Sequence, residues 1–316
     1  MMLSASLVLP LAGLKYPFLH PVTNPDNDIY GIGVSLDRGL EQLELADELG
    51  VNHLLLRVPL WDLERLNHYA LFASNARQHQ KTLLVNVLQD REHIEDPGRL
   101  TSALNRVFEA LSPFTHEFQI GNAINRIKWG FFSVSEYLSF FRAAQTIRDD
   151  KFRSLELLGP SVIDFEYFYT IRAIFNRQGV VFDRLSSLLY VDRSGSPYSR
   201  QLGLFDTAAK IRLLAAIQSL SARVKSTGLY ITEVNWPISG TAPYAPTSEK
   251  ECVSMEQYCE YMQSYFDIAK RSGFVERVYW HQMVAPGYGL VDNRDGQFKK
   301  TAAFYAFKSM LDSAAR

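Results

Sequence analysis

The stretch Leu229-Tyr230-Ile231-Thr232-Glu233-Val234-Asn235-Trp236-Pro237 joins an apolar, β-prone run to a carboxylate, and aromatic and proline residues follow at once. Lone carboxylates are rare inside strands, because an unpaired buried charge costs more free energy than its strand can return. We therefore expect Glu233 at the end of a strand, facing a cleft. A surface glutamate after an apolar strand is the plain alternative, and the rest of the chain decides between the two.

Eight short β-like runs recur along the chain, and an amphipathic helical stretch follows each of them. The runs cover residues 29–34, 53–58, 82–88, 117–121, 155–159, 185–191, 229–233 and 278–282. Their starts lie 24 to 49 residues apart, which is about what a strand, a helix and two loops need. Residues 38–50, which end on Gly50, and residues 135–148 are the clearest of the predicted helices.

Eight alternations of strand and helix predict an α/β fold, a single closed (β/α)8 TIM barrel of parallel strands inside a ring of helices. A doubly wound open sheet is the competing fold. A dinucleotide-binding sheet of that kind has three glycines in its first turn. Here the turn reads Gly31-Ile32-Gly33-Val34-Ser35-Leu36 and lacks the third glycine, which argues against a dinucleotide site. No linker divides the chain, so we predict one domain over residues 1–316. Residues 1–28 are expected to form a short N-terminal extension, a strand or hairpin that closes the barrel bottom.

Composition limits the classes of partner. Hydrophobic residues make up 47% of the chain and charged residues 21%, as in a globular protein with a large core. A formal net charge of −1 gives no basic field, so we expect no nucleic acid and no anionic membrane surface as partner. Metal-site and nucleotide motifs are absent from the sequence, which predicts no metal and no cofactor.

The apolar start of the chain is short, contains Ser and Pro, and has no basic residue before Lys15. That pattern fits neither a signal peptide nor a membrane span. It favours a cytoplasmic location and leaves export open. The oligomeric state is left open as well.

In a TIM barrel the working residues lie at the C-terminal ends of the strands and in the loops after them. In the predicted barrel these positions hold Arg57, Trp61, Asp62, Asn86, Asp90, Asn122, Asn125, Arg126, Asp164, Glu166, Tyr190, Asp192, Arg193, Glu233, Asn235, Trp236, Trp280, His281 and Gln282. Taken singly, Asp62, Asp90 and Asp164 are better explained as capping or solvated residues. The set indicates a carbohydrate cleft, with aromatic faces for pyranose rings and polar groups for hydroxyls.

The chain resembles the retaining glycoside hydrolases of clan A, most nearly the β-xylosidase and α-iduronidase type, over about residues 29–311. Thr232-Glu233-Val234-Asn235-Trp236 matches the run that holds their nucleophile at the end of strand seven. Trp280, followed by Gly287-Tyr288-Gly289-Leu290-Val291-Asp292, matches their strand eight, where a tryptophan lies under the sugar. The resemblance implies a TIM barrel with Glu233 in the nucleophile position and Trp280 as a sugar platform.

The resemblance breaks at strand four. Family members carry Asn-Glu there, in which the Asn contacts the sugar 2-hydroxyl and the Glu is the general acid/base. This chain reads Gly121-Asn122-Ala123-Ile124-Asn125, so Asn122 is present and Ala123 stands in the acid/base position. A methyl group cannot donate a proton, and retaining hydrolysis needs two carboxyl groups. Glu233 alone therefore cannot run ordinary glycoside hydrolysis.

Three functions stay open for such a carbohydrate-active barrel. In the first, it binds an oligo- or polysaccharide without cleaving it, and Glu233 accepts hydrogen bonds from hydroxyls. In the second, it is an active retaining glycosidase or transglycosidase whose proton comes from Glu166, Asp192 or His281. In the third, Glu233 acts on an activated donor, such as a glycosyl phosphate, that needs no acid. A role outside carbohydrate chemistry is the remaining alternative.

The predicted sugar contacts surround Glu233, which we expect to be partly buried with Asn122, Tyr190 and Trp280 around it. The substrate-binding residues of this prediction are Arg57, Trp61, Asn86, Asn125, Tyr190, Arg193, Asn235, Trp236 and Trp280. Arg193 and Arg200 offer bidentate contacts to a carboxylate or phosphate, which predicts an anionic carbohydrate ligand. A solvated basic loop is the better explanation of the two arginines when they are taken alone.

Overall fold

The computed structural model describes residues 2–24, 27–191 and 194–314. The α-helices are α1 Met2–Lys15, α2 Glu41–Leu49, α3 Leu66–Gln78, α4 Arg91–Glu95, α5 Pro97–Leu111, α6 Val134–Lys151, α7 Tyr167–Ile174, α8 Thr207–Ser219, α9 Met255–Ser272 and α10 Ala302–Ala314. The barrel strands are β1 Tyr30–Val34, β2 His53–Pro59, β3 Thr82–Leu88, β4 Glu117–Ile120, β5 Glu156–Ile163, β6 Arg184–Leu188, β7 Leu229–Val234 and β8 Val275–Trp280.

The eight strands close into a parallel barrel in sequence order, and β1 closes it by pairing with both β2 and β8. The predicted (β/α)8 TIM barrel is therefore confirmed. Most strand residues are buried, as expected of parallel strands that carry helices on their outer face. A short antiparallel ribbon of β9 (Val291–Asp292) and β10 (Lys299–Lys300) precedes α10.

The interior of the barrel is packed and is not a pore. One cluster of buried side chains fills it, contributed by Leu55, Leu84, Leu158, Tyr230 and Tyr279. Side chains two residues apart on a strand point to the same face. Arg57 and Asn86 therefore face the same interior as Leu55 and Leu84, one layer nearer the C-terminal ends of the strands. A polar layer thus lies directly above an apolar one.

Three strands differ in extent from the sequence prediction. β5 continues to Ile163, beyond the predicted residues 155–159, because Pro160 and Ser161 hid its continuation. β6 ends at Leu188 and does not reach residue 191. β8 covers Val275–Trp280, whereas residues 278–282 were predicted. Its charged start masked the strand, since Glu276 is ion-paired with Arg184 of β6, two strands away in the barrel. His281 is consequently the first residue after β8.

The N-terminal extension is helical, so the expectation of a strand or hairpin is wrong. α1 packs against α7 and α8, and Lys15 Nζ donates to the carbonyl oxygen of Ser219 at 3.1 Å. The stretch is rich in leucine and alanine, which are strong helix formers. Val22 N then donates to Gly273 O at 2.8 Å, next to the start of β8. Within the described residues, no helix is both long and apolar enough to cross a membrane.

Local sequence determines where two of the helices begin or end. Gly50 ends α2 in the left-handed region, with φ at 82° and its N–H bonded to Ala46 O, as its place in the sequence predicts. α6 begins at Val134, before the predicted residue 135, because the Ser133 side chain accepts a hydrogen bond from Glu136 N and caps the helix.

Candidate functional site

Glu233 lies at the end of β7, in a stretch where pairing with β8 shifts register between Ile231 and Val234. Its half-buried side chain lines a cavity of about 370 Å³, here called the first cavity. The residues that form this cavity lie at the C-terminal ends of β4 to β8 or in the segments after them, so it opens at the C-terminal face of the barrel. Its walls include Asn122, Ala123, Trp129, Tyr190, Glu233 and His281.

Tyr190 and Asn122 hold the carboxylate of Glu233. The Tyr190 hydroxyl donates to Glu233 Oε1 at 2.7 Å. Asn122 also hydrogen-bonds to Glu233 through its side chain. The Asn122 Oδ1 already accepts from Asn86 Nδ2 at 3.1 Å and from Gln119 Nε2 at 3.2 Å. Asn122 Nδ2 is therefore the atom that donates to Glu233.

Gln89 fixes the backbone of the turn that carries Asn122. Asn122 N donates to Gln89 Oε1 at 2.9 Å, and Gln89 Nε2 donates back to Asn122 O at 2.8 Å. The same Nε2 donates to Trp129 O at 2.9 Å. One buried side chain thus ties both Asn122 and Trp129 to the end of β3.

The field around Glu233 favours its charged form. Burial alone raises the pKa of the carboxyl, but His281, Arg57 and the hydrogen bonds from Tyr190 and Asn122 outweigh it, and the pKa lies below its ordinary value. The pKa of His281 is lowered to about 4, because burial and the charge of Arg57 together outweigh the opposing field of Glu233. At neutral pH His281 is therefore an uncharged imidazole, and Arg57 carries the positive charge beside Glu233.

Ala123 lies in the wall of the first cavity and is fully buried. Its φ is 48°, in the left-handed region that few non-glycine residues adopt. Arg126 N donates to Ala123 O at 2.9 Å and closes the turn. The methyl group can neither donate nor accept a proton.

The acidic residues after β5 are engaged by Arg126. Its guanidinium pairs with Asp164 Oδ2 at 2.5 Å and with Glu166 Oε1 at 2.6 Å. Asn125 Nδ2 donates to the second Glu166 oxygen at 2.9 Å and to Ile163 O at 3.0 Å. Asp164 lines the first cavity, whereas Glu166 and Asn125 do not. Asn125 thus serves as a bridge between two loops, and its predicted sugar contact finds no support in this placement.

Arg57 and Trp61 line a neighbouring cavity of about 420 Å³, here called the second cavity. Trp129 belongs to the walls of both cavities. Asn86 lies below them, 1% exposed, and its Nδ2 donates to Oδ1 of Asn122. Asn235 lines the first cavity, and its Nδ2 donates to the carbonyl oxygen of His281.

Trp280 and Trp236 lie in the core between the barrel and α9, so the prediction that they contact sugar is wrong. They are 0% and 1% exposed, and their rings stack on each other with centroids 5.8 Å apart. Trp280 Nε1 donates to Tyr258 Oη at 2.6 Å, and Trp236 Nε1 donates to Gly195 O at 2.9 Å. Alternation along β8 explains the placement, because Tyr279 faces the barrel interior and Trp280 therefore faces outward.

Several other predicted residues lie elsewhere. Asp192 and Arg193 lie outside the described residues. Arg200 is exposed and lines neither cavity. Asp90 caps α4 through a hydrogen bond from His93 N at 2.9 Å, which agrees with the capping interpretation.

The sequence reasoning missed Gln89, Lys128, Trp129 and Tyr288. Lys128 and Trp129 lie in a short 3-10 turn after β4, and Tyr288 lies in the loop after β8, where its ring stacks on His281 with centroids 5.6 Å apart. The signal was their position in loops that follow strands at the C-terminal face. Within the described part of the chain, no group of three or more His, Cys, Asp or Glu residues is arranged to hold a metal ion.

A scan of protein-family models and a sequence comparison with curated proteins both find no match. Among solved structures, the chain is similar to a family 1 β-glucosidase from Thermotoga maritima, with a TM-score of 0.66 and 10% identity over 93% of this chain and 99% of that chain. It is also similar to a GH39 β-xylosidase from Caulobacter crescentus, with a TM-score of 0.62 and 13% identity over 93% and 72% of the two chains.

A GH39 enzyme from Xanthomonas axonopodis pv. citri gives a TM-score of 0.64 and 13% identity, covering 93% of this chain and 67% of that chain. The chain has the fold of these glycoside hydrolases. The resemblance to clan A enzymes is thus confirmed for the barrel. At this level of identity the likeness speaks for the fold, and the function has to be argued from the site.

Proposed function

We propose that the chain binds an oligosaccharide or polysaccharide in the cavity around Glu233 and does not carry out ordinary glycoside hydrolysis. One observation carries the proposal: an ordered pair, Asn122 and Glu233, shares a cavity with the methyl group of Ala123. In the resemblance to clan A enzymes, Asn122 and Glu233 take the sugar-contact and nucleophile positions, and Ala123 takes the acid/base position. Hydroxyl recognition is retained in this arrangement and proton donation is lost.

The lost proton donor has a large effect on rate. General acid catalysis typically contributes 10²–10⁴-fold, or roughly 3–5 kcal/mol of barrier. Without it, an alkoxide leaves very slowly from a glycosyl centre. A carboxylate nucleophile that stays in place can still accept hydrogen bonds from hydroxyl groups.

The described residues near Glu233 are poorly suited to replace the acid. Arg126 and Asn125 occupy both oxygens of Glu166, and Arg126 also engages Asp164. A general acid needs a pKa near the working pH. His281, whose pKa is about 4, is almost entirely unprotonated at neutral pH.

An active retaining glycosidase or transglycosidase is the second candidate function, with Glu166, Asp192 or His281 as the displaced acid. The observation that favours it is the state of Glu233, which is charged at neutral pH and oriented by the Tyr190 hydroxyl. An activated donor, such as a glycosyl phosphate, would use this carboxylate without any acid.

The charges in the described walls favour a neutral ligand. Arg126 and Lys128 balance Asp164 and Glu233 in the first cavity. An anionic glycan remains a proposal that depends on Arg193 and Arg200, of which Arg200 lies outside both walls.

Calorimetry and product analysis together test the proposal. Xylotriose, cellotriose and β-1,4-galactotriose are titrated into the natural protein, and the same mixtures are then analysed by chromatography after prolonged incubation. We expect at least one trisaccharide to bind and to be recovered intact. Glu233→Gln keeps the shape of the side chain but removes its charge, so it should weaken binding about tenfold without unfolding the barrel.

Glu260→Gln, an exposed position on α9, is the matched control and should bind like the natural protein. Rapid cleavage of an unactivated trisaccharide would favour the displaced-acid enzyme. Failure of all three trisaccharides to bind would count against a glycan site for these linkages, and the barrel would then be a shared fold only.

A further inference from the structure

The second cavity adjoins the first and shares a wall with it. It measures about 420 Å³ and is lined by Arg57, Trp61, Arg65, Tyr69, Trp129 and Gln282, among others. Trp129 faces both cavities, so nothing larger than one indole separates them along that wall. Each volume is large enough for a single pyranose ring with its hydroxyls.

Two buried polar atoms of the second cavity have no hydrogen-bond partner in the described part of the chain. Gln282 is 6% exposed, and its Oε1 accepts no hydrogen bond. The Nε of Arg57 is likewise buried and donates none. A buried polar atom without a partner costs about 1–3 kcal/mol, and such groups call for an explanation. One free acceptor and one free donor match the chemistry of hydroxyl groups, which both donate and accept.

The acids of the second cavity are already engaged. Arg65 Nη1 pairs with Asp37 at 2.7 Å and with Asp62 at 3.3 Å. The Tyr69 hydroxyl donates to the same Asp62 oxygen at 2.7 Å. Arg57 and Arg65 balance Asp37 and Asp62, so the cavity has no net formal charge. The polar atoms of this wall that are buried without a partner are those of Arg57 and Gln282.

Apolar surface is also present. Trp61 is 56% exposed, whereas tryptophan side chains are highly buried on average. Trp129 offers a second indole at the junction of the two cavities. Flat indole rings bind the apolar faces of pyranoses, and their burial adds to affinity.

We propose that the second cavity binds the next unit of the glycan chain whose first unit lies beside Glu233. The inference rests on the proposed function and names its ligand class as a neutral oligosaccharide of at least two units, bound across Trp129. Trp61 supplies a stacking surface, and Gln282 and Arg57 contact hydroxyls of the second unit.

The test compares chain lengths. Xylose, xylobiose and xylotriose, with the matching cello- and β-1,4-galacto-series, are titrated into the natural protein by calorimetry and ligand-observed NMR. We expect affinity to rise at least about tenfold from the monosaccharide to the trisaccharide of the preferred series. Trp61→Ala and Gln282→Met should each weaken trisaccharide binding about tenfold. Each should also lower the affinity ratio, which is the affinity for the trisaccharide divided by that for the monosaccharide.

Two comparisons separate ligand contact from structural effects. Tyr305→Ala removes an aromatic side chain of similar exposure, 58%, on the outer helix α10. It should leave the ratio unchanged. Gln282→Met replaces an unpartnered buried acceptor with an apolar side chain of similar length, so the melting temperature should hold or rise. A lower melting temperature with an unchanged affinity ratio would assign Gln282 a structural role and overturn its part in the site.

The failure of this inference differs from the failure of the proposed function. Suppose that monosaccharides bind and Glu233→Gln weakens them, but chain length and the two variants have no effect. The glycan site beside Glu233 is then supported, and binding of a second sugar unit in the second cavity is disproved. If no member of the three series binds, the proposed function and this inference both fall.

Discussion

The hydroxyl of Tyr190 donates a hydrogen bond to Oε1 of Glu233, with 2.7 Å between the two oxygens. The contact joins the segment after β6 to the end of β7. It stabilises the charged carboxylate, because a donor beside an anion favours ionisation. The contact therefore sets both the orientation and the protonation state of the residue at the centre of the cavity.

Tyr190→Phe should raise the pKa of Glu233 toward its ordinary value, because it removes one of the hydrogen bonds that lower it. Trisaccharide affinity measured against pH should then fall at a higher pH in the variant than in the natural protein. Tyr305→Phe, at an exposed position, is the control and should follow the natural curve. If affinity falls at the same acidic pH in all three proteins, Tyr190 does not set the pKa of Glu233.

His281 should make the fold sensitive to mild acid. Its folded-state pKa is about 4, below the ordinary 6.5. Between these two pH values the unfolded chain binds a proton that the folded chain does not, so the free energy of unfolding falls as pH falls through this window. The contribution is fully present above about pH 6.5, and up to about 3 kcal/mol is lost by about pH 4.

Chemical denaturation at several pH values from 7 to 4, run in parallel on His281→Gln, checks this expectation. The variant should lack that part of the pH dependence. His20→Gln, at an exposed position in the N-terminal extension, should keep it. Parallel curves for the natural protein and His281→Gln would mean that the imidazole is not held neutral by burial.

The tryptophans should separate into structural and ligand-binding groups. Trp280→Ala should lower the free energy of unfolding by about 3–5 kcal/mol, because it empties a packed site between β8 and α9. Trp129→Ala should cost far less stability, since its side chain is only half-buried, and should weaken trisaccharide binding about tenfold. Thermal melts and calorimetry on both variants decide. The reverse pattern would restore Trp280 as the sugar platform.

The barrel itself was predictable, and so were the residues closest to its centre. Eight apolar runs at regular spacing leave few other folds. Glu233, Asn122 and Tyr190 were placed together because each lies at the C-terminal end of a predicted strand, and parallel strands bring these ends to one face. A single domain over residues 1–316 and a cytoplasmic location stay predictions.

The rest depended on which way side chains face and how loops fold back. Tyr279 and Trp280 are adjacent aromatics, so composition could not say which of them points into the barrel. Successive side chains alternate between the two faces of a strand, so Trp280 faces the core once Tyr279 is assigned to the barrel interior. His281 then faces the cavity. Trp129 is placed by a turn that Gln89 holds through three hydrogen bonds. Contacts of this kind link β3 to the loop after β4 and leave no trace in local sequence patterns.

The charge of the ligand is tested by salt. Because the described charges balance in both cavities, affinity for a neutral trisaccharide should not change between low and high ionic strength. Charge-assisted contacts would be screened over a Debye length of about 8–10 Å at moderate salt. A glucuronic-acid-substituted xylotriose that binds more tightly than xylotriose, and loses that advantage in Arg193→Gln with Arg200→Gln, would establish the anionic alternative.

The most direct test of the central claim is restoration of a carboxyl group at Ala123. Ala123→Glu adds the side chain within the cavity that holds Glu233, where retaining hydrolysis needs two carboxyl groups about 5–5.5 Å apart. Ala123→Gln has the same size but cannot act as the acid, so it is the matched control. Ala123→Glu combined with Glu233→Gln controls for the nucleophile. Thermal melts on each variant verify folding.

The measurement is kcat/KM on alkyl glycosides, whose poor leaving groups need protonation, compared with aryl glycosides, whose good leaving groups need little. We expect kcat/KM of Ala123→Glu on alkyl glycosides to exceed that of both the natural protein and Ala123→Gln, by up to about 10²–10⁴-fold. The gain should disappear when Glu233 is replaced by Gln. Fast hydrolysis of alkyl glycosides by the natural protein, or equal rates for folded Ala123→Glu and Ala123→Gln, would contradict the loss of a general acid at residue 123.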